Sequence, residues 1–231
     1  MRDIVSRTLV WSVLLHSLVL FANWPGYFGS RVFFMRIKMS NHHTFLRQLL
    51  NILMNYAEWN PGIENGDATL QSVLDTLPGN DSIDISWLVK LIENPRSPFS
   101  LPGAISLEAH DCVHAIVGRG LLNQDEAFVI GFTMGNASNL KYWQENLYKY
   151  YATYVFPKIY RFGERELIAF DMGVTFGKTR RHKNIHKVNF EPLKNRTMGE
   201  IRAMFDINVD LLRHFRYIEK NMFKSKASRR L

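Results

Sequence analysis

The chain has 231 residues, of which 46% are hydrophobic and 22% charged, the proportions of an ordinary globular protein. Its single cysteine, Cys112, excludes an internal disulfide framework and any zinc site built from thiolates alone. The net charge is +8, and the excess lies in residues 178–231, which contain fifteen Lys or Arg and five Asp or Glu. This basic end suits an anionic partner, which could be phospholipid or nucleic acid, and equally a solvated face without any partner.

Residues 1–38 form the most apolar part of the chain. The run at 9–21 is almost continuous in apolar residues, but it is shorter than the roughly 20 residues that a membrane span needs. Basic residues precede it, as in a targeting segment, and Met39 offers a later start of the reading frame. The pattern therefore leaves open a targeting segment, a membrane contact or an over-extended start.

Helical periodicity dominates from residue 39 onward. Apolar side chains recur at spacings of three and four in residues 41–59, and shorter helices are predicted at 69–77 and 84–95, each ended by a proline. No strand-like alternation persists, and no internal repeat or low-complexity linker divides the chain. These patterns predict an all-α domain of antiparallel helices over residues 39–208, followed by a basic tail at 209–231.

The stretch "HDCVHAIVGRGLLNQDE", residues 110–126, lies on a predicted helical hairpin. Ser106 is a natural N-cap for the first helix, and Gly118 and Gly120 mark the turn. The second helix is expected to begin near Asn123. Because the connection is short, the start of the second helix should return beside the first.

Four side chains of this hairpin form a candidate metal site: His110, Asp111, His114 and Glu126. The two histidines are four residues apart and share one side of the helix, and Asp111 lies on the same broad face. Cys112 points away, which argues against a thiolate ligand. Two imidazoles and two carboxylates suit Zn(II), Fe(II), Co(II) or Mn(II).

The same residues also have an explanation without a metal. Asn123 and Glu126 have the spacing of a capping box, in which the glutamate binds a backbone amide. Asp111 suits the first turn of a helix because of the helix dipole. His114 would then be a hydrogen-bonded core residue. At the level of ligand spacing, both interpretations stay open.

The complete pattern, HDxxH followed by eleven residues and then Glu, resembles the signature of the coenzyme Q biosynthesis protein 4 family. That signature also has a glycine four residues after the second histidine, which is Gly118 here. "EAFVIGFTMG" is similar to the family's small-residue helix, and "GVTFGKTRRHK" to its basic segment, so that the likeness covers about residues 42–208. The resemblance implies an all-helical fold and a divalent metal held by the four side chains, zinc first, with iron, cobalt or manganese as alternatives.

The resemblance also implies an activity, partners and a location. Members handle polyprenylated aromatic precursors of coenzyme Q and are credited with oxidative decarboxylation, so the expectation is a metal-dependent carboxy-lyase acting on a polyprenylated hydroxybenzoate. They form dimers on an anionic membrane surface and organise other ubiquinone-biosynthesis proteins, with no nucleic acid. The implied location is peripheral, on the cytoplasmic face of a bacterial inner membrane or the matrix face of the mitochondrial one.

Three further features have two interpretations each. A predicted helix passes into a basic stretch that contains Lys178, Arg180 and Arg181. These side chains suit either the headgroups of phospholipids or a solvated loop. Small residues on the second hairpin helix fit a prenyl chain or a close helix crossing: Ala127, Gly131 and Gly135. The nine aromatic residues in 142–162 suit a ligand tunnel or a membrane interface in some positions and core packing in most.

Two other functions compete with the carboxy-lyase. An HD-type phosphohydrolase would use an upstream histidine, the histidine–aspartate pair and a later aspartate: His42 or His43, His110, Asp111 and Asp171. It gives His114 and Glu126 no necessary role. A non-catalytic lipid-binding scaffold would keep the metal for structure. Nucleic-acid binding ranks third, because no base-reading motif accompanies the basic residues.

Overall fold

The computed structural model describes residues 58–78, 95–97 and 100–231. These residues lie within one compact unit, His43–Leu231, and form eight α-helices and no strand, which confirms the all-α class. In chain order the helices are α1 (Leu70–Leu74), α2 (Leu107–Val117), α3 (Asn123–Asn136), α4 (Tyr142–Tyr150), α5 (Glu164–Lys178), α6 (Met198–Met204), α7 (Val209–Met222) and α8 (Lys226–Arg230). The apolar segment 1–38, nearly all of 41–59 and the predicted helix at 84–95 lie outside the described residues.

Helices α2 and α3 form the predicted hairpin. The hydroxyl of Ser106 accepts the amide of Ala109 at the start of α2, and Gly118 ends the helix in the left-handed conformation, at φ 67°. Helix α3 starts at Asn123, as expected. It is buried on nearly every side and runs through the core. The ligand candidates therefore lie on two helices that contribute many residues to the core.

Helices α3 and α5 cross at very short range through four glycines: Gly131, Gly135, Gly173 and Gly177. A Cβ on Gly131 would lie 2.2 Å from the carbonyl oxygen of Phe170, and one on Gly173 would lie 2.1 Å from that of Phe128. Each helix thus presses bare backbone against the other. The small-residue face of α3 is a close helix crossing, and α5 covers the surface on which a prenyl chain would have lain.

The aromatic segment divides between core and surface. Helix α4 passes into a π-helical turn at Tyr151–Val155 and ends before Pro157, where the missing amide hydrogen prevents continuation. Tyr148 is buried and stacks on Phe170 of α5, with ring centroids 5.2 Å apart. Tyr142 and Trp143 are 77% and 57% exposed. Core packing therefore applies to Tyr148, whereas Tyr142 and Trp143 lie on the surface.

Residues 209–231 fold as α7 and α8 and are not an extended tail. Leu212 and Ala227 are buried in the body of the protein, and so is the carboxylate of Glu219. Arg213, His214 and Lys220 of α7 are exposed, as expected for the outer side of a packed helix, whereas Arg216 is buried. No helix among the described residues is both long and apolar enough to cross a membrane.

Candidate metal centre

The imidazoles of His110 and His114 and the carboxylate of Glu126 converge on one point between α2 and α3. Oε2 of Glu126 lies 3.3 Å from Nε2 of His114 and 3.6 Å from Nε2 of His110. The two rings stand edge to face, with centroids 4.5 Å apart. One ligand atom from each of the three residues lies within 4.8 Å of the others, close enough for all three to hold one metal ion.

The start of α3 explains why Glu126 is free to point at the histidines. The N-cap of α3 is Leu122, and Asn123 is already the first helical residue. The Asn123 side chain donates to the carbonyl oxygen of Ile159 at 2.8 Å, so that it caps nothing. The capping box suggested by the sequence is absent, because both of its members have other partners.

The two histidine nitrogens that face Glu126 are buried polar atoms without a hydrogen bond of acceptable geometry. An unpaired polar atom in the interior costs about 1–3 kcal/mol, so such groups normally have a partner. The other ring nitrogen of His114, Nδ1, lies 3.4 Å from the carbonyl oxygen of Arg119. A carbonyl only accepts, so Nδ1 carries a hydrogen, and in the neutral ring Nε2 then presents its lone pair, the tautomer of a metal ligand. The residues present therefore fit a divalent cation.

The electrostatics of the three groups are coupled. Burial, together with the neighbouring His114, lowers the pKa of His110 to about 4. For His114, burial lowers the pKa but the Glu126 carboxylate raises it more, and the net shift is upward. For Glu126, burial raises the pKa but His114 lowers it more, and the net shift is downward. The site thus holds an ionised carboxylate facing an imidazole that favours a positive charge.

Asp111 stands beside this group of three but does not complete it. Its carboxylate does not lie within 4.8 Å of all three ligand atoms, and the group formed among the described residues is His110, His114 and Glu126. Burial raises the pKa of Asp111 to about 6, with His114 acting in the opposite direction. In this conformation the structure brings together three of the four expected ligands, with the fourth as a close neighbour.

Cys112 lies between the ligands in sequence but faces the core. Its side chain is fully buried, and burial raises the pKa of the thiol to about 12. A thiol in this state stays protonated at neutral pH and is a poor nucleophile. The prediction that Cys112 points away from the site is confirmed.

A small apolar cavity of about 20 Å³ lies beside His110. The loop at 101–105 forms one wall, and Ile130 and Met134 of α3 and Tyr148 of α4 form the other. This volume has room for about one water molecule and is far smaller than an ordinary small-molecule site. A group in this cavity would lie beside a metal-site histidine and against apolar side chains.

The three basic residues expected to bind phospholipid have different environments. Nζ of Lys178 lies 2.9 Å from Oε2 of Glu145. The guanidinium of Arg180 is largely buried, donates to the carbonyl oxygen of Asp206 at 2.8 Å and stacks over the ring of Phe176. Arg181 is exposed. Arg180 therefore has a structural role, and a headgroup would find at most the other two.

The residues of the phosphohydrolase alternative do not assemble among the described residues. Asp171 is about half exposed on α5, where it pairs with Lys149, and it is outside the group of metal ligands. His42 and His43 lie outside the described residues. The described part of the chain thus supports only the His110–Asp111 pair of that proposal.

Sequence reasoning missed a buried charged network beneath the site. Arg119 and Glu219 are both fully buried and form a two-bond pair, and Asp125 lies next to them, 1% exposed. The signal was present in part, because Glu219 falls on the apolar side of α7 at helical spacing from Leu212. Its partner is 100 residues away, which no local pattern reveals.

The chain matches no family model, no curated protein and no solved structure. The resemblance to the coenzyme Q biosynthesis protein 4 family therefore rests on the motif and its flanking segments, and the chemistry of the site rests on its geometry.

Proposed function

We propose that this protein is a divalent-cation-dependent enzyme of ubiquinone biosynthesis that removes the ring carboxylate of a polyprenylated hydroxybenzoate. One observation carries the proposal: the buried Nε2 atoms of His110 and His114 converge with Oε2 of Glu126 and make no hydrogen bond. Two imidazoles and a carboxylate that face one another at 3.3 and 3.6 Å without a well-formed hydrogen bond fit a shared cation better than an ordinary hydrogen-bonded core. The motif resemblance supplies the reaction class.

The ligand set favours a catalytic cation over a purely structural one. Structural zinc sites usually have four protein ligands, whereas three leave a coordination position for water or substrate. Two histidines and one carboxylate also suit iron, so that zinc, iron, cobalt and manganese all remain candidates. A bound cation supplies Lewis acidity toward a carboxylate or phenolate oxygen.

The chain's own residues account for binding and proton transfer. The side chains around the cavity beside His110 are apolar, a character that suits an aromatic ring, and the ring needs more room than the cavity has in this conformation. Asp111 is the carboxyl group placed to carry a proton, because it adjoins the group of three without belonging to it. Twelve of the fourteen residues of α3 are buried, and a thirteenth is the ligand Glu126. The helix therefore excludes bulk water from the core on this side of the site.

Membrane attachment and assembly are part of the same proposal. The exposed Tyr142 and Trp143, with Tyr150 and Tyr154 on the same segment, have the residue types that favour a membrane interface. We place the protein peripherally on the cytoplasmic face of a bacterial inner membrane or on the matrix side of the mitochondrial one. Its partners there are a second copy and other ubiquinone-biosynthesis proteins.

Elemental analysis of the purified protein tests the proposal. We expect close to one divalent metal per chain, lost in His114→Ala and kept in His214→Ala, which removes an exposed histidine of α7. Extraction of the same samples should recover a polyprenylated phenolic lipid. A wild-type protein that takes up no metal, even after incubation with zinc or iron(II), would overturn the proposal.

A non-catalytic scaffold is the second candidate, because the ligands join two neighbouring helices and a cation would stabilise their hairpin. The two functions differ in turnover. Metal-loaded protein mixed with a short-chain polyprenyl hydroxybenzoate releases carbon dioxide if it is the enzyme, and none if it is the scaffold.

A further inference from the structure

The turn between α2 and α3 is enclosed by side chains from α7 and α8. These are called here the C-terminal cluster: Arg216, Glu219, Ser225, Ser228 and Arg230. The turn has the sequence Gly-Arg-Gly, and a Cβ on Gly118 would lie 2.6 Å from Nη2 of Arg216. A Cβ on Gly120 would lie 3.1 Å from Nη2 of Arg230. The carbonyl oxygens of Gly62 and Trp59 would lie closer still to these two Cβ positions, at 2.3 and 2.5 Å, so that the glycines admit the segment at 59–63 as well as the C-terminal cluster.

On one flank of the turn, the cluster holds the carbonyl group that orients His114. Nδ1 of His114 donates to the carbonyl oxygen of Arg119. The guanidinium of Arg119 binds both carboxylate oxygens of Glu219, through Nη1 at 3.0 Å and through Nη2, and lies over the ring of Phe128 at 3.9 Å. Arg216 donates to the carbonyl oxygen of Gly118. The backbone that sets the tautomer of the ligand is therefore fixed from α7.

On the other flank, the cluster holds the first turn of α3, which carries Glu126. Nε2 of Gln124 donates to Glu219 at 2.6 Å, and Oε1 of Gln124 accepts the hydroxyl of Ser225 at 2.6 Å. Nη2 of Arg230 donates to Oδ2 of Asp125 at 3.1 Å. The two residues directly before the carboxylate ligand are both bound by the C-terminal helices.

We infer that the C-terminal cluster positions the ligands of the candidate metal site, with Glu219 as the central positioning residue because it binds both flanks of the turn. The inference rests on the metal site of the proposed function. A buried ion pair is a weak source of stability, because apolar residues of similar volume serve as well or better. The contribution of such a pair is mainly orientation. Hydrogen-bonded charges hold backbone and side chains at set angles, as the groups that hydrogen-bond to metal ligands do.

Titration of the metal-free, full-length protein with Co(II) tests this inference, because the visible absorption of Co(II) reports ligand geometry. Loss of a group that hydrogen-bonds directly to a metal ligand weakens binding roughly 10- to 100-fold. Glu219 acts through Arg119 and Gln124, so that Glu219→Gln should weaken Co(II) binding by up to roughly 10-fold and should change the bands of the saturated protein. Arg230→Met should act in the same direction, and Arg230→Lys should restore part of the affinity. A purely structural role would alter stability and leave the spectrum of the folded, saturated protein unchanged.

The matched control is Glu64→Gln. It breaks the exposed pair between Glu64 and Arg213 of the same helix α7, where Nη2 and Oε2 lie 2.7 Å apart, so that it should leave affinity and spectrum unchanged. If Glu219→Gln does not fold, the Arg230 variants decide. Wild-type affinity and spectrum in the folded cluster variants would overturn the inference alone, provided that His114→Ala still abolishes binding. A wild-type protein that binds no Co(II) would overturn the proposed function and the inference with it.

Discussion

Oε2 of Glu126 lies 3.3 Å from Nε2 of His114, although the two residues belong to different helices and face each other across a turn. The carboxylate has no role in capping its own helix, because Leu122 is the N-cap and Asn123 binds Ile159 instead. This relationship separates a candidate metal site from an ordinary helix start, and each prediction below depends on it or on the packing that produces it.

Glu126→Gln should nearly abolish metal binding. The variant keeps the size of the side chain and removes the anionic ligand. Mutation of a group that only hydrogen-bonds to a metal ligand lowers the affinity by up to roughly 100-fold. Because Glu126 is itself a ligand, we expect the cation affinity to fall by more than roughly 100-fold. Competition of Zn(II) between the protein and a chelating indicator measures the affinity. Glu164→Gln, on the exposed start of α5, is the control and should bind as the wild type does.

Asp111→Asn should keep the metal and lose turnover. Its carboxylate lies outside the group of three ligands, so that the affinity should stay within a few-fold of the wild type while carbon dioxide release falls. The physical reason is that an amide does not carry the proton that the carboxyl group would. Loss of the metal to the extent seen in Glu126→Gln would instead make Asp111 the fourth ligand.

Metal binding should weaken as the pH falls, with one proton displaced per cation. The pKa of His114 is above its ordinary value, so that near pH 6 a cation must displace a proton from this imidazole. The pKa of His110 is lowered to about 4, so that this ring is already neutral there. Calorimetry in buffers of different ionisation enthalpy counts the protons. Release of no proton near pH 6 would contradict the assignment.

Gly131→Ala should destabilise the fold although alanine favours helices. The new Cβ would lie 2.2 Å from the carbonyl oxygen of Phe170, a backbone atom that moves only if α5 moves. The overlap costs about 1–3 kcal/mol and the gain in helix propensity is about 1 kcal/mol, so that we expect the free energy of unfolding to fall by up to about 2 kcal/mol. Urea denaturation measures it. In the control, Gly66→Ala, the added Cβ meets nothing within 4 Å, and an unchanged or higher stability is expected.

Several parts of the fold could be predicted because their causes are local. The side chain of Ser106 caps α2 by accepting the backbone amide of the third residue after it. Thr197 and Glu200 have the spacing of a capping box and form one at the start of α6. Pro157 ends the aromatic helix because it lacks an amide hydrogen. Such features involve residues within one helical turn of each other, so that spacing alone identifies them.

Ambiguities that spacing left open were decided by neighbours distant in sequence. The small residues of α3 suited a lipid or a helix, and the carbonyl groups of α5 occupy that face. Arg180 suited a phosphate, and it binds the carbonyl oxygen of Asp206. In both cases the sequence specified a surface of a given shape and charge but not which group would meet it.

The sequence by itself determined that this protein is helical and that two histidines, one turn apart, stand before a short turn and a returning glutamate. The helical period and the length of the turn impose this arrangement, so that it follows without any knowledge of the remaining chain. Only the tertiary structure decided that Asp111 lies outside the group of three, and that Glu219 binds both flanks of the turn. The physical reason is that these relationships depend on how separate helices pack, and the hydrogen bonds involved join residues about 100 positions apart, where no local spacing constrains them.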